Sequence, residues 1–193
     1  AEAMIVSDQH SKAYLALQPL SSSAEEAIAH RAQSLERMLL KQRIIDERNA
    51  GMEFADLLAL VDEFMAREPD PTQEGWITEV HASILLENND HGGLVQQMVL
   101  DMRRLEAIDD GTINWPALHV LLGKVYRATG RPGPAADRFD FALNELAATG
   151  RARGDALRFM GEMHLDVGDV SRAESRFRAG MDTPGISEDS YQS

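Results

Sequence analysis

The chain repeats itself, and that narrows its possible folds more than any other feature. When residues 122–142 are laid over residues 160–180, a shift of 38, Gly123 meets Gly161, Gly130 meets Gly168, Ala135 meets Ala173, Phe139 meets Phe177 and Ala142 meets Gly180. Leu122 also meets Met160, and Tyr126 meets His164. The steps between successive markers are seven, five, four and three residues in both copies. A weaker copy lies 40 residues upstream, where Ala82 and Ser83 fall at Leu122 and Gly123, Leu86 at Tyr126, Val95 at Ala135 and Val99 at Phe139. Self-similarity at this period marks an array of small units, each unable to bury its apolar face without its neighbours.

Each copy reads as two helices around a break. Apolar residues recur every three or four positions on both sides of Gly130-Arg131-Pro132-Gly133, and Gly and Pro there stop one helix and start the next. Gly123 interrupts the first helix, where glycine costs about 1 kcal/mol against alanine. Close approach of a second helix offsets that cost, because burying one large side chain contributes about 1.5–3 kcal/mol. The pattern therefore predicts that Gly123, Gly161, Ala135, Ala142, Phe139 and Phe177 are interior scaffold.

These spacings resemble the tetratricopeptide repeat, whose pattern is W-x2-L-G-x2-Y, then A-x3-F, then P. The first copy supplies Leu122, Gly123, Tyr126, Ala135, Phe139 and Ala142, with His119 in place of the tryptophan; the second keeps Gly161, Ala173 and Phe177, with His164 in place of the tyrosine. The resemblance covers residues 76–182, and its period of 38–40 exceeds the family's usual length of about 34. It implies a short α-solenoid of antiparallel helix pairs. It also implies a concave groove lined by the first helix of each pair. Carried over by register, the groove residues are Val80, Ile84 and Glu87, then Val120, Lys124 and Arg127, then Arg158, Glu162 and Leu165. The family's chaperone-tail binders hold a carboxylate with particular Lys and Asn residues. Here Val120 and Lys124 stand at those places, so binding of Hsp70 or Hsp90 tails is not expected.

Upstream of the array the pattern changes. Residues 1–22 are weakly patterned and read as a flexible segment. Residues 23–71 read as a helical hairpin capping the array: a long helix opened by a Ser23/Glu26 capping box and ended at Gly51, then a helix carrying Phe54, Leu57, Leu58, Val61, Phe64 and Met65 on one stripe. Further helices are expected over 73–86, 93–107, from Asn114 with Pro116 in its first turn, over 155–167, and from Asp169 with Ser171 and Glu174 as a capping box. Residues 183–193 read as a disordered tail, and no segment reads as a strand.

Charge bounds the partners. The chain carries a net charge of −13, which argues against general nucleic-acid binding. The surplus is uneven: residues 1–75 balance at −7, residues 76–115 at −5 and residues 116–182 at +1. Arg151, Arg153, Arg158, Arg172, Arg176 and Arg178 crowd the last third. They read either as a solvated face paired with Asp155, Asp166, Asp169 and Glu174, or as a patch for an acidic peptide or carboxylate terminus. No apolar run approaches a membrane span of about 18 residues, so no membrane partner is expected. With no cysteine, disulfides and thiolate metal sites are excluded, and a cytoplasmic protein fits. Met4 reads as the natural first residue.

Motifs for chemistry are sparse. Asp109-Asp110-Gly111-Thr112 has the look of a calcium loop, but with Gly111 as the turn glycine its third and closing positions are Ile108 and Ala117, so two ligands are missing. It reads as a connection, with Asn114 capping the next helix. The histidines form no zinc-helix pair; His119 and His164 fall on interior repeat positions with satisfied hydrogen bonds expected, and His91 in an exposed loop. No phosphate loop, dinucleotide fingerprint or nucleophile elbow is present. The expectation is a non-catalytic protein-interaction module with no cofactor and no metal. Its partner is a protein or peptide, a second copy of the chain being one candidate. Two alternatives share this fold: a type III secretion-type chaperone, and the interaction domain of a larger enzyme or regulator.

Overall fold

A computed structural model describes residues 2–22, 25–67, 69–109 and 111–184, with the side chains of 2–11 excepted. The described residues are all-helical: α1 (Glu2–Ser21), α2 (Glu26–Asn49), α3 (Phe54–Met65), α4 (Pro71–Glu87), α5 (Leu94–Ile108), α6 (Trp115–Ala128), α7 (Pro132–Asn144), α8 (Gly150–Asp166) and α9 (Val170–Met181). They divide into two compact units, residues 1–70 and 71–193.

The first unit holds three helices where a hairpin of two was expected. Residues 2–21 form α1, despite Pro19 near its end, and α1 packs along α2, which in turn packs on α3. The helix is hard to see in sequence because its apolar residues are spread around the axis rather than gathered on one stripe. A polar network ties the three together. Glu36, only 1% exposed, accepts the Ser21 hydroxyl at 2.5 Å and faces Arg67 at 3.6 Å. The Tyr14 hydroxyl accepts from Arg67 and donates to Glu63 at 2.6 Å. The Arg37 guanidinium lies 4.1 Å from the Phe64 ring centre. Gly51, at φ 76°, closes α2 as expected: its N–H bonds to Arg48 and that of Met52 to Glu47. Ser23 of the expected capping box lies outside the described residues; Glu25 holds the cap position, and its side chain does not cap the helix N–H groups.

The second unit is a solenoid-like array. α4, α6 and α8 pack side by side in one layer; α5, α7 and α9 pair with them from behind, and α5 and α7 each also reach the following front helix. The core is correspondingly strung out. One cluster joins Ala82 of α4 to Met98 of α5 and Leu122 and Val125 of α6; the next joins Val120 of α6 to Phe139 of α7 and Ala156 and Leu157 of α8. Both clusters run from one helix pair into the next, as nearest-neighbour stacking requires.

The repeat markers behave as the spacing predicts, except that Phe177 of the last pair is only half-buried. Ala135, Phe139 and Ala142 are fully buried. A Cβ placed on Gly123 would lie 2.5 Å from Cε1 of Phe139, and one on Gly161 would lie 2.6 Å from Cε1 of Phe177. Each ring thus occupies the space a side chain would need. The turns repeat as well. Gly130 and Gly168 adopt left-handed φ values of 72° and 79°, and the N–H groups of each and of the next residue bond back to the preceding helix in the same pattern.

The weak copy is shifted by one residue from the expected register. Asn89, at φ 56°, makes the turn bonds that Gly130 makes, so the offset is 41 rather than 40. Leu94 and Met98, 3% and 1% exposed, then take the places of Ala135 and Phe139, while Val95 and Val99 are only half-buried. Ala82, not Ser83, stands where Gly123 does. The slip was hidden because Val at 95 and 99 keeps the helical spacing as well as Leu94 and Met98 do. Two further boundaries differ. α8 begins at Gly150, five residues before Asp155. α9 is capped by Asp169, whose carboxylate accepts from the Arg172 N–H at 3.1 Å, so Ser171 lies inside the helix rather than at its cap. Asn114 caps α6 through the Ala117 N–H at 3.3 Å, with Pro116 in the first turn, as expected. Of the tail, residues 185–193 lie outside the described residues.

Candidate functional site

The front layer brings α6 and α8 together, and their charged residues meet there. Lys124 and Arg127 lie one turn apart on α6; Asp155, Arg158, Phe159, Glu162 and Asp166 recur at three and four residues on α8. The Glu162 carboxylate is held from both sides: one oxygen accepts from Arg127 across the helix pair, the other from Arg158 at 2.8 Å. Arg127 also reaches Asp166 at 3.3 Å, and Arg158 reaches Asp155 at 3.8 Å. Beneath them lies Phe159, its ring stacked on Phe139 at 5.8 Å between centres. The Arg158 guanidinium sits 4.0 Å from the Phe159 ring centre, Lys124 Nζ 5.3 Å and Arg127 5.7 Å. A ring's negative face attracts such cations within about 6 Å.

Lys124 differs from the two arginines. It is half-buried, and among the described residues it makes no hydrogen bond and no ion pair. Burial pushes its pKa below the usual lysine value; Asp155 and Glu87 act against that from a distance, while Arg158 and Arg151 add to it. An ammonium held out of water without an anion is unfavourable, and it gains whenever an anion arrives.

The sequence-derived groove residues separate into two groups. Lys124, Arg127, Arg158 and Glu162 converge as described, and Glu87 is exposed at the end of α4. Val120 and Ile84 are instead 3% and 1% exposed, and Val80 is also buried, so these three belong to the interior. The carried-over register assigned them to the open face, but neighbouring helices pack over α4 and α6 there, whereas Lys124 and Arg127 stay partly open. Leu165 is exposed. Phe159 escaped sequence reasoning because it is not a repeat marker; its place one residue after Arg158, between two carboxylates at spacing three and four, was the available signal.

The arginine-rich end is partly a paired face: Arg158, Arg172 and Arg178 each meet a carboxylate three or four residues away. Three histidines depart from expectation. Buried His119 packs on the Phe141 ring at 4.7 Å, and its Nδ1 has no hydrogen-bond partner among the described residues. Its pKa falls from 6.5 to about 4, first through burial and then through Arg138. His91 is half-buried, and its Nε2 is enclosed without a partner. His164 is half-buried.

Among the described residues no three His, Asp or Glu side chains are grouped to hold a metal ion, and no helix is long and apolar enough to cross a membrane. In the former calcium-loop segment, Asp109 is committed to the Gly111 N–H at 2.8 Å and the Trp115 indole at 2.7 Å. No family model matches the chain, and no curated protein and no solved structure matches it.

Proposed function

We propose that residues 71–181 are a non-catalytic protein-interaction module, and that the face shared by α6 and α8 takes an acidic segment of a partner protein. One observation carries this reading: Lys124, a half-buried ammonium with no hydrogen bond and no ion pair among the described residues, beside two guanidinium groups and an aromatic ring. Planar guanidiniums accept carboxylates with good geometry, and the Phe159 ring supplies an apolar floor for the stem of a bound side chain. A layer of three neighbouring front helices offers an extended face rather than an enclosed pocket, which suits a peptide or helix better than a small metabolite.

The test is direct. A fluorescein-labelled octaglutamate peptide, followed by anisotropy at low salt, should bind the wild-type chain and lose affinity at least about tenfold on Lys124→Glu, with helicity unchanged. Equal affinity for the two proteins would remove the assignment.

A further inference from the structure

We infer that Glu162 is a built-in competitor for the site, an internal carboxylate occupying the position that a partner's carboxylate would take and so limiting the affinity for acidic segments. This rests on the reading of the α6–α8 face as an acidic-segment site. Glu162 places one oxygen on each of two arginines that come from different helices, Arg127 of α6 and Arg158 of α8. That is the bridging geometry an incoming carboxylate would adopt. It is 30% exposed in its side chain and lies on the open face, where a ligand can displace it.

Charge bookkeeping points the same way. Lys124, Arg127 and Arg158 stand against Asp155, Glu162 and Asp166, so the cluster is neutral as folded. An acidic ligand therefore meets a cluster without net charge until Glu162 gives way. Removing the Glu162 charge leaves the cluster at +1 and leaves each arginine one weaker contact, 3.3 Å to Asp166 and 3.8 Å to Asp155. The ordinary assignment of such a residue is structural, a strut that fixes the two guanidiniums. The two assignments predict opposite signs: loss of a strut weakens ligand binding, whereas loss of a competitor strengthens it.

The experiment compares octaglutamate binding by wild type, Glu162→Gln, Lys124→Glu and Asp137→Asn, with far-UV helicity as a check on folding. Asp137 is an exposed carboxylate on α7 and controls for a bare change in net charge. Glu162→Gln keeps volume and one hydrogen-bond acceptor while removing the charge. It is expected to tighten binding about three- to tenfold at low salt, a gain that shrinks at high salt, with Asp137→Asn unchanged. Binding weakened or unaltered by Glu162→Gln, while Lys124→Glu still abolishes it, would overturn the competitor role and leave the site standing. Equal gains from Glu162→Gln and Asp137→Asn would also overturn it. If Lys124→Glu has no effect, or wild type does not bind the peptide, the site itself falls and the competitor with it.

Discussion

Replacing Gly123 by alanine sets two physical effects against each other. Helix propensity alone says that alanine stabilises α6 by about 1 kcal/mol. The packing says otherwise. The new Cβ would lie 2.5, 2.8 and 2.9 Å from three atoms of the Phe139 ring. Ordinary contact begins near 3.4 Å, so the ring and Cβ must separate by about 0.9 Å. Phe139 is fully buried, with Phe159 stacked on it, and cannot swing into solvent. Overpacking of this kind costs about 1–3 kcal/mol, and three simultaneous short contacts belong at the upper end. Subtracting the propensity gain leaves a net destabilisation of about 1–2 kcal/mol. Both tryptophans, Trp76 and Trp115, lie in the second unit, so urea unfolding followed by tryptophan fluorescence reads that unit. Phe139→Leu makes room at the same contact. The double variant should therefore be less destabilised than the sum of the single changes by about 1–2 kcal/mol. A neutral or stabilising Gly123→Ala, or strict additivity with Phe139→Leu, would refute the close-approach argument.

Other expectations follow from separate parts of the structure. His119 binds its proton less tightly folded than unfolded, so its contribution is complete above pH 6.5 and is lost as pH falls toward about 4. Unfolding free energies measured between pH 7 and 4 should fall by up to about 3 kcal/mol more in wild type than in His119→Gln, and parallel curves would contradict this. Asp169→Ala should cost about 1 kcal/mol through loss of the cap on the Arg172 N–H, whereas Ser171→Ala should be nearly neutral; urea midpoints in the reverse order would restore the sequence-based cap. Glu36→Ala should weaken the first unit by about 1–3 kcal/mol, because it strips a buried acceptor from Ser21 and Arg67, and amide exchange along α2 should speed up accordingly.

The stacked pairs were legible because packing imposed a period: glycine opposite phenylalanine at 123 and 139 recurs at 161 and 177, and the same left-handed turns recur at 130 and 168. Where packing uses interchangeable residues the period blurs. Leu94 and Val95 are equally apolar, so nothing in their chemistry fixed which one faces inward. Asp169 and Ser171 are both good caps two residues apart, and only backbone geometry chooses between them. α1 went unseen because its residues form no single stripe. At the site, the charged residues Lys124, Arg127, Arg158 and Glu162 were visible, since helical spacing keeps them on open stripes. Which of them lacks a partner was not, because ion pairing between α6 and α8 joins residues 35 apart. Val120 and Ile84 failed for a related reason: exposure on a front helix depends on how closely its neighbours approach, which a register borrowed from a repeat pattern does not contain.

What most needs measuring is where an acidic segment lands. A backbone amide shift map, recorded as octaglutamate is titrated into the labelled chain, measures this without assuming which residues matter. The largest shifts should fall on Lys124, Arg158 and Phe159, saturate together, and vanish in Lys124→Glu. Shifts confined to α1–α3, or centred on the polar outer face of α9 around Glu174 and Arg178, would contradict it.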